Sequence, residues 1–286
     1  MFKPRVRIPR VRIAQPRPQP LLMQRRSLHL VPPSEFTNAR GVPGLLSPDG
    51  FHLAYNEYMQ LLVDKLNALV GGTEMEQKSP YQILQQTARE PSFAPTFNYA
   101  SMLHNNAFFF EGLNSTPNEK PMSPRLQKLL EDSFGSIETL QREMLITASS
   151  MFGPGFVWLV KNGKTSNFRV LATYLAGSPY STAHWRRQGL DMNTVEGPSS
   201  TEKSGAAEEY LFRQQLGSGA SNGTRWKTTA PGGIEAIPVL CVSTWEHMYL
   251  RDYGVAGKRQ FLENWWNTID WTKVSDRAQI ENKYFK

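Results

Sequence analysis

The spacing of apolar residues changes in the middle of the chain, at the stretch GPG of residues 153–155. Before this point apolar residues recur at steps of three and four, which is typical of helices that bury one face. The first such helix carries Tyr55, Tyr58, Leu62, Leu66 and Leu69. After this point β-rich runs bounded by turn signals take over. The chain is therefore predicted to have a helical first half followed by an α/β second half.

Local start and stop signals define the predicted helices of the first half. The first helix begins at SPDG, from Ser47, and ends at Gly71-Gly72. A second helix, over about 96–113, is so rich in aromatic residues that it should be buried on most sides. Two further helices in the stretch 123–152 are separated at Gly135, and Ser136 is predicted to cap the second of them.

The second half is predicted to contain a small sheet and a closing helix. Residues 156–177 form a predicted hairpin with its turn at Asn162-Gly163, and IPVLCVST at 237–244 supplies a third strand. The closing segment at 257–274 is predicted to be helical, with Phe261, Leu262, Trp265 and Trp266 facing inward. An insertion at about 178–233 separates the second strand from the third. A loop of that length is normally functional or disordered.

Composition excludes several classes of protein. A chain of 286 residues can hold one large domain or two modest ones. Its single cysteine, Cys241, excludes an internal disulfide and a cysteine-rich metal site. No apolar run approaches the roughly eighteen residues of a membrane span, so no membrane partner is expected.

Positive charge is concentrated at the start of the chain. Residues 1–34 carry eight of the 32 basic residues and no acidic one, which leaves 24 basic against 25 acidic residues elsewhere. An arginine-rich, acid-free head without a secretory apolar core predicts a mitochondrial targeting segment, with QRRSLHL as the processing region. The alternative is a basic arm that binds nucleic acid, and the two roles are compatible if cleavage is absent or late.

Four motifs, in order over about 44–275, resemble the iron/manganese superoxide dismutases. FNYASMLHNNAFFFEGL resembles the helix of the second metal ligand, and FGSIETLQREMLITASSMFGPGFVWLV resembles the family's Phe-Gly-Ser helix and the strand after it. STWEHMYLRDYG resembles the Asp-x-Trp-x-x-His-x-Tyr signature. WWNTIDWTKV resembles the Trp-Asn-x-x-x-Trp motif near the family's C-terminus. The resemblance implies an α+β fold: an N-terminal helical hairpin domain at 44–116, then an α/β domain at 117–286 with a three-stranded antiparallel sheet.

The metal ligands of that family, three histidines and one aspartate, are mostly missing here. The resemblance places Asn106 at the second ligand, Ser243 at the aspartate and His247 at the last histidine, with Ala54 or Tyr58 at the first. His104 lies two residues from Asn106. Residues two apart in a helix lie on different faces, so His104 is not expected on the ligand face. The family also has a glutamine side-chain amide outside the ligands. The resemblance places Met102 or Phe152 at its position, and both are expected to fill core space. One histidine cannot hold iron or manganese, so we expect no metal, no cofactor and no catalytic residue.

The resemblance also identifies a candidate pairing surface. In dismutase dimers the glutamate before the last histidine reaches the partner's histidine, and Glu246 keeps that place. Trp245, Glu246 and Tyr249 are therefore predicted to lie on a dimer interface. The alternative for Glu246 is a solvated acid favoured by the start of a helix.

Two functions remain after this comparison, since no phosphate loop, nucleophile elbow or His-Glu-x-x-His motif is present. The chain resembles the dismutase-like proteins of the small subunit of fungal mitochondrial ribosomes, which implies a structural role without enzymatic activity. The implied partners are other small-subunit proteins and a dismutase-like paralogue in a pseudo-symmetric pair. The near-neutral body predicts limited rRNA contact. The alternative is a dismutase-like, metal-binding enzyme of the mitochondrial matrix.

Overall fold

The computed structural model describes residues 29–36, 41–116, 121–163, 165–183 and 235–280. Its first half is helical, as predicted. A long helical stretch consists of α1, a π-helical segment at His52–Glu57, and α2; α3 and α4 follow. Their bounds are α1 Pro48–Phe51, α2 Tyr58–Val70, α3 Pro80–Thr87 and α4 Ala94–Glu111.

The second half combines helices with one antiparallel sheet. Two helices precede the sheet and three follow it. The elements are α5 Pro124–Phe134, α6 Ile137–Ser150, β1 Gly155–Asn162, β2 Phe168–Tyr174, β3 Ala236–Ser243, α7 Glu246–Tyr253, α8 Lys258–Asn267 and α9 Trp271–Arg277. The α+β fold class predicted from the sequence is confirmed.

Side-chain caps start several helices. The Ser47 side chain accepts a hydrogen bond from the Gly50 amide, and the Ser136 side chain accepts one from the Thr139 amide. These bonds satisfy amides that have no partner inside their helices. Helix α3 was not predicted, although Ser79 and Gln82 form a reciprocal capping box at its start.

The sheet has the order β2-β1-β3, and both neighbouring pairs are antiparallel. The central strand β1 is buried along most of its length, and its register with β3 shifts between Leu159 and Val160. Helix α6 packs on β1 and β2, while α4 and α9 pack on β3. This arrangement brings the end of β3, and the start of α7 after it, close to the first-half helices.

Helix α4 lies at the centre of the molecule. It contacts α2, α3 and β3, and most of its side chains are buried, as its aromatic content predicts. A single cluster of buried apolar side chains includes residues on both sides of position 117. The division into domains at 44–116 and 117–286 therefore stays a prediction. Among the described helices, none combines the length and the apolar character needed to cross a bilayer.

Two predicted segments lie largely outside the described residues. They are the targeting segment, of which 1–28 are not described, and the insertion, of which 184–233 are not described. Residues 29–36 pack on the body. The amide of His29 donates to the Asn67 side chain at 2.9 Å, the Tyr55 hydroxyl donates to the Pro32 carbonyl at 2.7 Å, and Phe36 is in the core.

Candidate functional site

The residues at the ligand positions inferred from the resemblance come from five elements of the fold. Ala54 is in the π-helical segment and Tyr58 is the first residue of α2, while Asn106 is on α4. Ser243 ends β3, and His247 is in the first turn of α7.

Two contacts join these positions in pairs. The Tyr58 and His247 rings have centroids 4.0 Å apart, and the Asn106 amide nitrogen lies 3.4 Å from the Ala54 carbonyl oxygen. The Ser243 hydroxyl accepts a long bond, 3.4 Å, from the Trp245 amide. The chain thus packs these side chains against one another and against their own backbone.

His247 is held as a neutral, packed ring. Tyr58 lies against it, and the Trp245 ring centroid is 5.7 Å from it. Its Nε2 atom is buried and has no hydrogen-bond partner among the described residues. Burial lowers the pKa of His247 to about 4, because desolvation disfavours the imidazolium. Burial, with a smaller contribution from Tyr99, raises the pKa of Tyr58 to about 12, so its phenol stays protonated.

The residues at these positions do not fit iron or manganese. Ala54 has no donor atom in its side chain, and the Asn106 amide and Ser243 hydroxyl are neutral, weak ligands. Within the part of the chain that the structure describes, no group of three or more His, Cys, Asp or Glu side chains could hold a metal ion. The arrangement can pack a core, but it has no charged donor set for a redox metal.

One expectation about the core around these positions is wrong. Met102 is buried, as expected, but Phe152 is 97% exposed. Phe152 lies in the turn between α6 and β1, where Met151 points into the core and Gly153 has φ of 104°. A turn directs adjacent side chains to different sides, and Met151 takes the inward place. Phe152 therefore cannot fill space beside the ligand positions.

His104 belongs to a second polar cluster. Its Nε2 atom lies 2.6 Å from the Tyr180 hydroxyl, and its ring packs near Tyr81 and Phe108. Burial, and to a lesser extent Arg277, lowers the pKa of His104 to about 4. Sequence reasoning missed Tyr180, because nothing in the local pattern signals a contact across 76 residues. The ring of His104 is occupied by this contact, whereas the neighbouring Asn106 bonds toward Ala54.

The candidate pairing residues differ in accessibility. Trp245 and Glu246 are partly exposed at the start of α7, and within the described ranges the buried Trp245 Nε1 atom has no hydrogen-bond partner. Tyr249 is only 7% exposed and packs on Phe261, with ring centroids 5.9 Å apart. Its side chain is part of this chain's own core and leaves little surface for a partner, and its place on an interface stays a prediction. The neighbouring Leu250, which sequence reasoning missed, is exposed.

Comparisons with known proteins identify relatives of two kinds. The model of the iron/manganese superoxide dismutases, C-terminal domain, matches residues 122–190 and 218–277. Small ribosomal subunit protein mS43 of Schizosaccharomyces pombe is 29% identical over 245 residues, which cover 83% of this chain and 81% of the relative. Small ribosomal subunit protein mS42 of the same yeast is 30% identical over 249 residues, 84% of this chain and 91% of the relative. An iron superoxide dismutase of a Nostoc species is 32% identical over 146 residues, 51% of this chain and 70% of the enzyme.

Proposed function

The chain belongs to the iron/manganese superoxide dismutase family, and from that premise we propose that it is a structural constituent of the small subunit of the mitochondrial ribosome. The observation that carries the proposal is the loss of ligands inside a complete fold. The resemblance places Asn106, Ser243 and either Ala54 or Tyr58 beside His247 at the ligand positions. The helices and the sheet of the fold are present among the described residues, where no group of His, Cys, Asp or Glu could hold a metal ion. Relatives that match more than four-fifths of this chain bear small ribosomal subunit names.

The proposal includes the absence of enzymatic activity. Superoxide dismutation in this family requires a metal that changes its oxidation state, and several ligands in fixed geometry must hold it. In this chain the imidazole of His247 lies against Tyr58 and near Trp245, and burial lowers its pKa. A neutral, packed imidazole contributes to the core and leaves no open position for a substrate.

Docking in the ribosome is proposed to be mainly between proteins. The 24 basic and 25 acidic residues outside the first 34 nearly cancel. Affinity for RNA backbone depends on the number of cationic contacts, so a near-neutral body supplies little of it. We therefore expect small-subunit proteins as the main neighbours, with rRNA touched at local basic patches.

A dismutase-like paralogue is the proposed partner at the start of α7. Trp245 and Glu246 are partly exposed there, and the exposed side chain of Leu250 lies on the same helix. Helix α7 contacts α1 and the π-helical segment, which carries a second exposed leucine, Leu53. Two-fold pairing is common for such surfaces, and a ribosome favours its pseudo-symmetric form with a related chain.

The proposed compartment is the mitochondrial matrix. The arginine-rich, acid-free residues at the start of the chain support import. Residues 29–36 pack on the body, with Phe36 in the core, so a leader that is removed would end before His29. Cleavage soon after Arg25-Arg26 would leave this contact intact.

The test is sedimentation of the tagged full-length chain from lysed mitochondria. We expect it to co-sediment with the small ribosomal subunit, near one copy per subunit, and to remain there after a high-salt wash. A metal-binding dismutase of the same family, tagged in the same way, should stay at the top of the gradient. A chain that stays at the top with this control would contradict the proposed function.

A further inference from the structure

A groove between α6 and α8 lies on the surface of the second half. It encloses about 800 Å³, and its apolar lining comes from Leu145, Ile146 and Leu262. The two helices contact each other along this groove. The Lys258 ammonium donates to the Met151 carbonyl at 3.1 Å, which joins the start of α8 to the end of α6. The groove therefore has a fixed floor made of regular structure.

Exposed apolar side chains lie in the groove lining or close to it along the chain. Ile146 lines it and is 57% exposed. Phe152 follows the end of α6 by two residues and is 97% exposed, and Val255 is next to Ala256 of the lining and is 87% exposed. Phe152 and Val255 are the most exposed large apolar side chains among the described residues. The groove thus presents apolar surface with an exposed isoleucine in its lining, and exposed apolar patches mark interaction sites.

The charged side chains of the groove differ in whether they have a partner within the protein. Glu263 pairs with Arg259 at 2.9 Å. Glu138 interacts with the start of its own helix, where its backbone amide and then the Ser136 side chain lower its pKa. Lys258 donates to a carbonyl. Arg142 is exposed and has no hydrogen bond or ion pair with any residue of the described ranges. The charge that lacks a partner in this groove is thus positive.

From the apolar floor and the unpaired guanidinium, we propose that this groove binds an apolar protein segment that carries a carboxylate opposite Arg142. The apolar floor favours a protein over RNA, because RNA backbone needs several cations and offers no aliphatic side chains. An amphipathic helix laid into a groove is a common form of such recognition. The inference rests on the proposed function in one respect, since it identifies a protein neighbour as the occupant.

The test uses the full-length chain with the photo-crosslinking residue p-benzoylphenylalanine at position 146, expressed in mitochondria. A matched probe at position 61 replaces Leu61, which is also exposed but lies on α2. We expect position 146 to crosslink a protein segment with apolar residues and a carboxylate, and the product to resist ribonuclease. The probe at position 61 should not crosslink that segment.

Charge reversal then decides whether Arg142 takes part. Arg142→Glu should reduce the crosslink about tenfold, the size expected when one partner of a docking contact is lost. Arg169→Glu, a reversal at an exposed site on β2 away from the groove, should leave it unchanged. Reversal of the segment's carboxylate to lysine should restore crosslinking with Arg142→Glu. Ile146→Asp, tested by co-purification of the same neighbour, checks the apolar contact separately.

Several outcomes would overturn the inference. They are a ribonuclease-sensitive product, a crosslink that Arg142→Glu leaves unchanged, and no product above that of position 61. Crosslinks are read both in purified small subunits and in whole mitochondria. If the unmodified chain does not sediment with the small subunit, the proposed function fails. The charge-reversal rescue in whole mitochondria still tests whether the groove binds the segment through Arg142.

Discussion

The ring of Tyr58 lies against the imidazole of His247, with centroids 4.0 Å apart and an interplanar angle of 32°. Tyr58 is one of the two candidates for the first-ligand position, and His247 is the one ligand histidine that survives. The contact covers a face of the imidazole with an aromatic ring, and no residue in the described part of the chain bonds to the buried Nε2 atom. The residue that the resemblance places at the last ligand position therefore serves as a packing residue.

Stability should fall as the pH is lowered through the range of the buried histidines. Burial lowers the pKa of both His247 and His104 to about 4, below the unfolded value of 6.5. A group with a lowered folded pKa contributes its full stability above the unfolded pKa and loses it as the pH falls to the folded one. Between pH 6.5 and about 4, each histidine should reduce the free energy of unfolding by up to about 1.4 kcal/mol per pH unit.

The measurement is chemical denaturation of the purified chain at several pH values. His247→Phe should flatten the dependence over this range, because phenylalanine packs beside Tyr58 without titrating. His52→Phe is the matched control, since His52 is exposed and pairs with Glu57 on the surface. A slope that is the same in wild type and His247→Phe would contradict the neutral, packed state of His247.

Two adjacent asparagines on α4 should respond differently to the same substitution. Both Asn105 and Asn106 are fully buried. The Asn105 amide nitrogen donates to the Gly177 carbonyl at 3.0 Å, whereas that of Asn106 makes only the 3.4 Å contact with Ala54. Asn105→Leu removes this bond from the part-buried Gly177 carbonyl and should cost about 1–3 kcal/mol. Asn106→Leu should change the free energy of unfolding by less than about 1 kcal/mol.

Thermal and denaturant unfolding of the two variants checks this difference. The pair tests whether the second-ligand position has become ordinary core. A larger loss for Asn106→Leu than for Asn105→Leu would show that Asn106 keeps a specific role at this position.

The sequence was sufficient for features that depend on local signals. Ser136 was predicted as an N-cap, and its side chain accepts a hydrogen bond from the Thr139 amide. Serine is strongly preferred at this position, so the local sequence is enough to identify the cap. The hairpin of β1 and β2 was also predicted, but β1 extends to Asn162 and β2 begins at Phe168, so its connection is longer than a two-residue turn at Asn162-Gly163. The family motifs then supplied the long-range arrangement, which spacing alone does not determine.

Other features depend on contacts that no local pattern contains. Met151 and Phe152 are adjacent and apolar, and only the geometry of the turn decides that Met151 is buried and Phe152 exposed. Tyr249 and Leu250 differ in the same way on α7. The π-helical segment His52–Glu57 widens the helix turn around Ala54, and the three- and four-residue spacing around it still reads as one α-helix.

Reversal of the charge at Glu246 should weaken the proposed pair. Glu246→Arg would place an unpaired cation at a contact that pairing desolvates, and such a change costs about 3–5 kcal/mol when the partner charge is buried. Co-purification of the dismutase-like paralogue with the tagged chain measures the effect. Glu143→Arg is the control, because Glu143 is an exposed acid on α6, away from the start of α7. Equal recovery of the paralogue with both variants would refute the role of Glu246.

Import should depend on the basic head. Deletion of residues 1–26 removes all eight basic residues of the predicted leader but keeps His29–Phe36, which packs on the body. The truncated chain should fold and remain cytosolic, as cell fractionation would show. If it still enters mitochondria, the head is a binding arm instead. The new N-terminus of the imported chain should fall between Arg26 and His29.

The central claim is that the dismutase fold persists here without its metal chemistry. The direct measurement is elemental analysis of the full-length chain purified from mitochondria, with superoxide dismutase activity assayed on the same sample. Ala54, Asn106, Ser243 and His247 supply no adequate ligand set, so iron and manganese should be far below one atom per chain, without activity. One equivalent of either metal, with activity, would contradict the account and establish the chain as a metal-dependent enzyme.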